Sequence, residues 1–230
     1  NLEVSLEDAY NGKTQNVNFT VAQKCTTCDG TGAEKGSKPE VCGACNGRGK
    51  VRVQQGFFIV ERTCSQCQGT GEIIKNKCKT CHGQGRVNKN KNIEVRITAG
   101  VEDGAKIRLQ GQGESGLRGG SNGDLYIFIS VKDHQFFRRQ GNAIYCKVPI
   151  KFTVAALGGK IDIPTISGKK IQLKIPAGTQ TNAKFRIKNE GMPVVGSSIK
   201  GDMFVQTEVE IPVKLTAKEK KLLQELDAEL

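Results

Sequence analysis

One short pattern occurs four times in this chain: CTTCDGTG from Cys25, CGACNGRG from Cys42, CSQCQGTG from Cys64 and CKTCHGQG from Cys78. Two cysteines at i and i+3 on a tight turn can direct both sulfurs to one side, so each C-x-x-C-x-G-x-G repeat supplies half of a tetrahedral thiolate site. Four halves predict two zinc ions. The glycines fit that reading, because the chain must turn back around the metal with φ > 0 and leave its backbone N–H groups free to approach the sulfurs. A disulfide mesh would not require the same Gly-x-Gly after every pair, and spacing therefore favours metal over disulfides.

Other meanings of these cysteines are weaker. A thioredoxin-like C-x-x-C should open a helix, whereas glycines follow here at once. Cys81-His82 completes a C-x-x-C-H signal that elsewhere attaches haem, but His82 fills a slot held by Asp29, Asn46 and Gln68 in the other repeats and needs no ligand role. Four thiolates close the tetrahedron and leave no position for a reacting water, so zinc hydrolysis is not expected. No Ser/His/Asp set, phosphate-cradling loop or paired-carboxylate site is visible, and the glycine-rich stretch 110–120 lies between strands rather than before a helix. The chain does not read as an enzyme. The ninth cysteine, Cys146, shares strand parity with Ile144, Val148 and Ile150 and reads as a buried core thiol.

Outside the cysteines lies a second repeat. NIEVRITAGVEDGAKIRL matches KIQLKIPAGTQTNAKFRI at a constant offset of 78 residues, pairing Ile93 with Ile171, Ile97 with Ile175, Arg108 with Arg186 and Asp124 with Asp202. Apolar and polar residues alternate in both copies, which predicts half-buried strands. The duplication extends backwards, since Ala9-Tyr10-Asn11-Gly12-Lys13 resembles Ala156-Leu157-Gly158-Gly159-Lys160. From Lys160 to Ile171 is 11 residues, but from Lys13 to Ile93 is 80, and the excess contains every C-x-x-C pair.

The expected architecture is mainly β: two homologous β-sandwich-like domains in tandem, with a two-zinc cysteine-rich arm inserted in the first and a short C-terminal helix. The boundaries would be 1–24 with 86–135 for the first β domain, 25–85 for the zinc module, 136–213 for the second β domain and 214–230 for the helix. An insertion must begin and end close together. That favours nested pairing of the cysteine pairs, first with fourth and second with third, although spacing alone leaves sequential pairing open. Thr216 and Glu219 form a capping box ahead of Leu222, Leu223, Leu226 and Leu230, an apolar stripe that packs either on the second β domain or on another copy of the chain.

The formal net charge of +12 invites a zinc-dependent nucleic-acid binder as the alternative reading. Against it, tryptophan is absent, aromatics make up 5%, and no Arg/Lys run is interleaved with stacking residues. Between Cys25 and Gly85 the balance is only +4, nine basic against five acidic residues, and two four-thiolate zinc sites would each add −2 and cancel it. Nucleic acid is thus not an expected partner. No apolar run approaches the roughly 18 residues of a membrane span, residues 1–10 lack the blocks of a signal peptide, and a soluble protein is expected. The chain opens on Asn1 rather than Met, as a fragment would.

Four C-x-x-C-x-G-x-G repeats set into a duplicated β domain resemble the type I DnaJ co-chaperones. The likeness covers essentially the whole chain and includes Ser5-Leu6-Glu7-Asp8-Ala9, the Gly123-Asp124-Leu125 turn, the run from His134 to Arg139, and Ala156-Leu157-Gly158-Gly159. The resemblance implies a region that binds unfolded polypeptide clients in a hydrophobic groove of the first β domain, lined here by Val17, Phe19, Ile93 and Ile127. It also implies one zinc held by Cys25, Cys28, Cys78 and Cys81 and another by Cys42, Cys45, Cys64 and Cys67, the second site assisting transfer to a DnaK-type ATPase. The apolar stripe of the terminal helix leaves a homodimer through the C-terminal end as an expectation, and sustained zinc thiolates imply a reducing compartment, the cytoplasm or an organelle matrix. The family's J domain carries His-Pro-Asp, and neither His82 nor His134 is followed by Pro-Asp. This stretch is therefore expected to hold clients without itself stimulating ATP hydrolysis.

Overall fold

The computed structural model describes residues 1–55 and 57–229, with Arg118 described by its backbone alone. The chain runs through β1 (Leu2–Val4), α1 (Leu6–Asn11), β2 (Lys13–Lys24), β3 (Glu40–Val41), β4 (Lys50–Gln55), β5 (Phe58–Thr63), β6 (Glu72–Ile73), β7 (Arg86–Ile97), β8 (Lys106–Leu109) and β9 (Leu125–Val131). It continues through β10 (Phe137–Gln140), β11 (Ala143–Lys151), α2 (Phe152–Leu157), β12 (Gly159–Pro164), β13 (Lys170–Ile175), β14 (Lys184–Ile187), β15 (Met203–Glu210) and α3 (Ala217–Glu229). The protein is mainly β, as the alternation predicts, with the short C-terminal helix expected from the capping box and the spacing of the leucines. Two compact units divide it: residues 1–15, 96–105 and 129–230, and residues 16–95 with 106–128.

The first unit is built on a four-stranded sheet of order β10-β11-β15-β14, in which β11 and β15 run parallel from Ile144↔Met203 to Lys151↔Glu210. Period-two alternation sorts these strands. Ile144, Cys146, Val148 and Ile150 are buried on one face of β11 and Met203, Val205 and Thr207 on the matching face of β15, while the intervening residues face outwards. Each fully buried aliphatic side chain stabilises by roughly 1.5–3 kcal/mol, so these rows hold the sheet together. Ala155 of α2 packs with Ile150 and Ile175 in the same core. Thr207 is buried but satisfied, its hydroxyl donating to the Gln180 and Ala183 carbonyls.

The two sequence copies share strand register. Leu2 and Val4 of β1 pair with Ile129 and Val131 of β9 in parallel, and Val148 and Ile150 of β11 pair with Thr207 and Val209 of β15 in the same way. The offset is 78 on one strand and 146 on the other. That second value corrects the sequence alignment of Ala9 with Ala156 by one residue: Ala9 corresponds to Ala155, and both are buried. Gly12 and Gly158 make the equivalence physical. Each ends a short helix at φ near +75° to +79°, and a Cβ on either would stand 3.0–3.1 Å from backbone at the end of β7 or of β13, at Ile97 and Ala99 or at Ile175 and Ala177. The helices themselves were not expected from the sequence. The capping box of α1, with the Ser5 hydroxyl accepting from the Asp8 N–H, explains the first.

α3 begins as expected, with the Glu219 carboxylate accepting from the Thr216 N–H and the Thr216 hydroxyl accepting from the Glu219 N–H. No described residue of this helix is buried, and Leu222 and Leu226 remain exposed. Leu230, the last of the expected stripe, lies outside the described residues.

Candidate metal centres

All eight repeat cysteines lie in the second unit, which is organised as a ladder of nested contacts. β2 and β7 pair at its base, where the Thr20 hydroxyl donates to Asn90 and the Cys25 N–H to the Gly85 carbonyl. Beyond them come an Ala33–Lys77 bridge, the β3–β6 pair and finally the β4–β5 hairpin. The cysteine clusters are rungs of that ladder. Cys25, Cys28, Cys78 and Cys81 converge below the Ala33–Lys77 bridge, and Cys42, Cys45, Cys64 and Cys67 converge between β3–β6 and β4–β5. The structure therefore groups first with fourth and second with third, not sequentially.

Within each cluster all four sulfurs lie within 4.8 Å of one another. The separations are 4.0 Å for Cys25–Cys78, 3.7 Å for Cys28–Cys81, 3.8 Å for Cys42–Cys64 and 3.6 Å for Cys45–Cys67. A regular tetrahedron with Zn–S arms of about 2.3 Å has S···S edges of about 3.8 Å. A disulfide would need about 2.05 Å, and all nine cysteines are free. The two clusters match two closed four-thiolate zinc sites.

The glycines act as the repeat pattern predicts. The second glycine of each repeat donates its N–H to the second cysteine sulfur, Gly32 to Cys28 and Gly49 to Cys45 at 3.3 Å, Gly71 to Cys67 and Gly85 to Cys81 at 3.2 Å. These bonds favour the thiolate. Their geometry needs three left-handed positions in each repeat, with Asp29, Asn46, Gln68 and His82 at φ of 49–52° immediately ahead of glycines at 72–92°. The variable slot that holds His82 is thus a left-handed position, and His82 is exposed and outside both clusters.

Sequence reasoning missed a second role for the glycines. The first-cysteine N–H of each repeat donates to the second-glycine carbonyl of its partner repeat, Cys25 to Gly85, Cys78 to Gly32, Cys42 to Gly71 and Cys64 to Gly49, at 2.8–2.9 Å. The repeats are clasped reciprocally by backbone before any metal is considered. The periodicity of the glycines was visible, but which repeat each one touches was not.

Electrostatics in the clusters are divided. Burial pushes the Cys28 and Cys45 thiols up to about 11. At Cys78 the N–H of Cys81 outweighs burial and brings the thiol down to about 7. At Cys67 burial raises the thiol, yet the Gly71 N–H together with the neighbouring Cys45 and Cys64 thiols overcomes it and leaves it at about 6. Cys25 is lowered as well, its burial outweighed by the N–H groups of Cys28 and Thr27, so each cluster mixes readily ionised sulfur with one, Cys28 or Cys45, that burial holds protonated. A dication removes that conflict and deprotonates all four.

The residues expected to line a client groove also fall in this unit. Val17 and Phe19 on β2 and Ile93 on the neighbouring β7 are half-buried. Ile127 on β9 is 5% exposed. At the far end of the ladder the β4–β5 hairpin exposes Phe57, Phe58 and Ile59. Cys146 stands apart in the first unit, a buried thiol that burial pushes up to about 11.

Comparison with known proteins places this architecture. The family described as DnaJ C terminal domain matches residues 1–212. The chain is 53% identical to the chaperone protein DnaJ of Paramagnetospirillum magneticum and 51% identical to that of Methylorubrum populi, in both over 227 residues covering 99% of this chain and 59% of the relative. For the Rhizobium meliloti chaperone protein DnaJ the identity is 52%, over 99% of this chain and 60% of the relative. The chain thus spans about three-fifths of the length of the curated relatives it matches.

Proposed function

Because the chain belongs to the DnaJ C-terminal domain family, we propose that it is the client-binding part of a co-chaperone, holding unfolded or partly folded polypeptides for transfer to a DnaK-type ATPase. It acts by binding and carries out no reaction of its own. Zinc 1 is held by Cys25, Cys28, Cys78 and Cys81 and zinc 2 by Cys42, Cys45, Cys64 and Cys67, both closed and structural. The chain works as the two β domains, inserted zinc module and terminal helix delimited from the repeats, in the reducing cytoplasm or an equivalent matrix where thiolate sites persist.

One observation carries the reading: the apolar row of β2 and β7 is left half-open. Val17, Phe19 and Ile93 keep part of their surface in water, whereas Val21 and Val95 on the same strands are buried. An extended client segment covers such a row by lying along the strands with alternate side chains in apolar pockets, the groove to which Ile127 also belongs in this reading. The exposed Phe57, Phe58 and Ile59 give the zinc module its own apolar contact with a client. The exposed leucines of α3 suit a second copy of the chain, which would join two such grooves.

The test is suppression of aggregation of a denatured model protein by the intact chain, with and without zinc chelation. Suppression that weakens when zinc is withdrawn supports the reading. A chain that leaves aggregation unchanged in both conditions would overturn it.

A further inference from the structure

The outward face of the β10-β11-β15-β14 sheet carries a cleft of about 630 Å³ that none of the preceding roles uses. Its floor is a pair of rings. Tyr145 and Phe204 are register partners across the parallel β11–β15 pair, stacked with centroids 5.1 Å apart and planes inclined by 15°. Both are half-buried, on the face opposite Cys146 and Val205, and Phe136 forms a wall. Around the rings stand Arg138, Lys147 and Lys184, all exposed and drawn from three different strands.

Two features set this face apart from an ordinary solvated surface. No aspartate or glutamate lines the cleft, and none of its three cations has an ion-pair partner among the described residues. Nearby Asp202 is committed to Arg186 at 2.6 Å, and Glu208 lies one register row further along, opposite Pro149. Arg138 also borders a neighbouring cleft lined by Glu102, Asp103 and Asp133, but three cations without an ion pair among the described residues, set around an aromatic floor, fit a ligand that is anionic and apolar at once.

We propose that this cleft is a docking site for an acidic peptide segment bearing an aromatic or long apolar side chain. The apolar side chain lies on the Tyr145–Phe204 platform and the flanking carboxylates meet Arg138, Lys147 and Lys184, Arg138 offering the fork that binds a carboxylate in bidentate fashion. A peptide suits the cleft better than single-stranded nucleic acid, because the two rings stack on each other and so leave fewer free faces for successive bases. The site shares no residue with the Val17–Phe19–Ile93 row and does not rest on client binding there.

The experiment uses the whole zinc-loaded chain and a short fluorescein-labelled peptide of several glutamates and two phenylalanines, followed by anisotropy. The same peptide with Gln for every Glu, and a single-stranded oligonucleotide of equal charge, serve as comparisons. The acidic peptide should bind at least about tenfold more tightly than its Gln counterpart, with affinity falling as salt rises. The double variant Lys147→Glu/Lys184→Glu should lose at least about tenfold, and Tyr145→Ala should weaken the same binding, with zinc content unchanged in both. Phe19→Ala should leave it unaltered. Equal binding of the Gln peptide, an unchanged affinity in the double variant, or tighter binding of the oligonucleotide through the same residues would each overturn the proposal.

Discussion

Gly85 and Gly30 lie so close that a Cβ added to Gly85 would stand 2.3 Å from the Gly30 carbonyl oxygen. The contact is repeated at Gly32 against Gly83, Gly49 against Gly69 and Gly71 against Gly47, at 2.3–2.4 Å. The second glycine of every repeat thus touches the first glycine of the repeat that shares its metal. The tetrahedron and the backbone clasp specify the same pairing.

Gly85→Ala should therefore lower the zinc content from about two to about one per chain, since the added methyl meets backbone that cannot move aside. Gly30→Ala should be milder. Its φ of +81° costs on the order of 1–2 kcal/mol for a non-glycine residue, but the new Cβ would meet only the flexible Lys24 side chain, at 3.1 Å. Elemental analysis of the two purified variants checks the difference, and equal losses would show that φ strain alone matters.

Thiol counting separates the two kinds of cysteine. With zinc bound, thiol reagents should find the chain almost inert, and after chelation under native conditions eight cysteines should react while Cys146 stays protected. Burial holds the Cys146 thiol near 11, so its thiolate is scarce at neutral pH until the β11–β15 core opens. Nine reactive thiols after chelation alone would mean that the core depends on zinc.

Phe19→Ala should reduce capture of a denatured protein by about tenfold, a typical cost of truncating an aromatic at the centre of a binding surface, while leaving zinc content intact. Titration of the variant and parent chains against a fluorescently labelled unfolded protein measures it. Unchanged capture would remove Phe19 from the groove.

Acid stability should carry a signature of the duplication. Asp124 and Asp202 are held below the ordinary carboxylate range first by backbone N–H groups, of Gly111 and Asn189, and then by Arg108 and Arg186. A depressed native value favours the folded state above the unfolded carboxylate pKa of about 3.9 and loses that contribution as pH falls through the native value. Asp124→Asn/Asp202→Asn should flatten the loss of stability in that acid window, measured by denaturant unfolding at a series of pH values; an identical acid limb would assign the loss to other groups.

Much of the fold was legible because it rests on local or periodic signals. Alternation at Ile93, Val95 and Ile97 marked β7, the Thr216–Glu219 pair marked the start of α3, and Cys146 could be read as core from its parity with Ile144. The helices at Leu6–Asn11 and Phe152–Leu157 escaped because each is under two turns, too short for a period of 3.6 to declare itself. The one-residue slip that set Ala9 against Ala156 instead of Ala155 had the same origin, since only the strand register fixes which glycine ends the helix.

What the sequence determined by itself is the chemistry of the metal module: the cysteine spacing specifies two sulfurs per turn, and the glycines that follow specify backbone able to reach them. Tertiary structure decided everything that joins distant residues. Pairing of Cys25 with Cys78 rather than Cys42 follows from β2 meeting β7, and the platform of Tyr145 and Phe204 exists because β11 and β15 run parallel in one register. Ligand spacing is a property of a few bonds and is written locally; proximity across 53 or 59 residues is set by which strands bury one another's apolar rows.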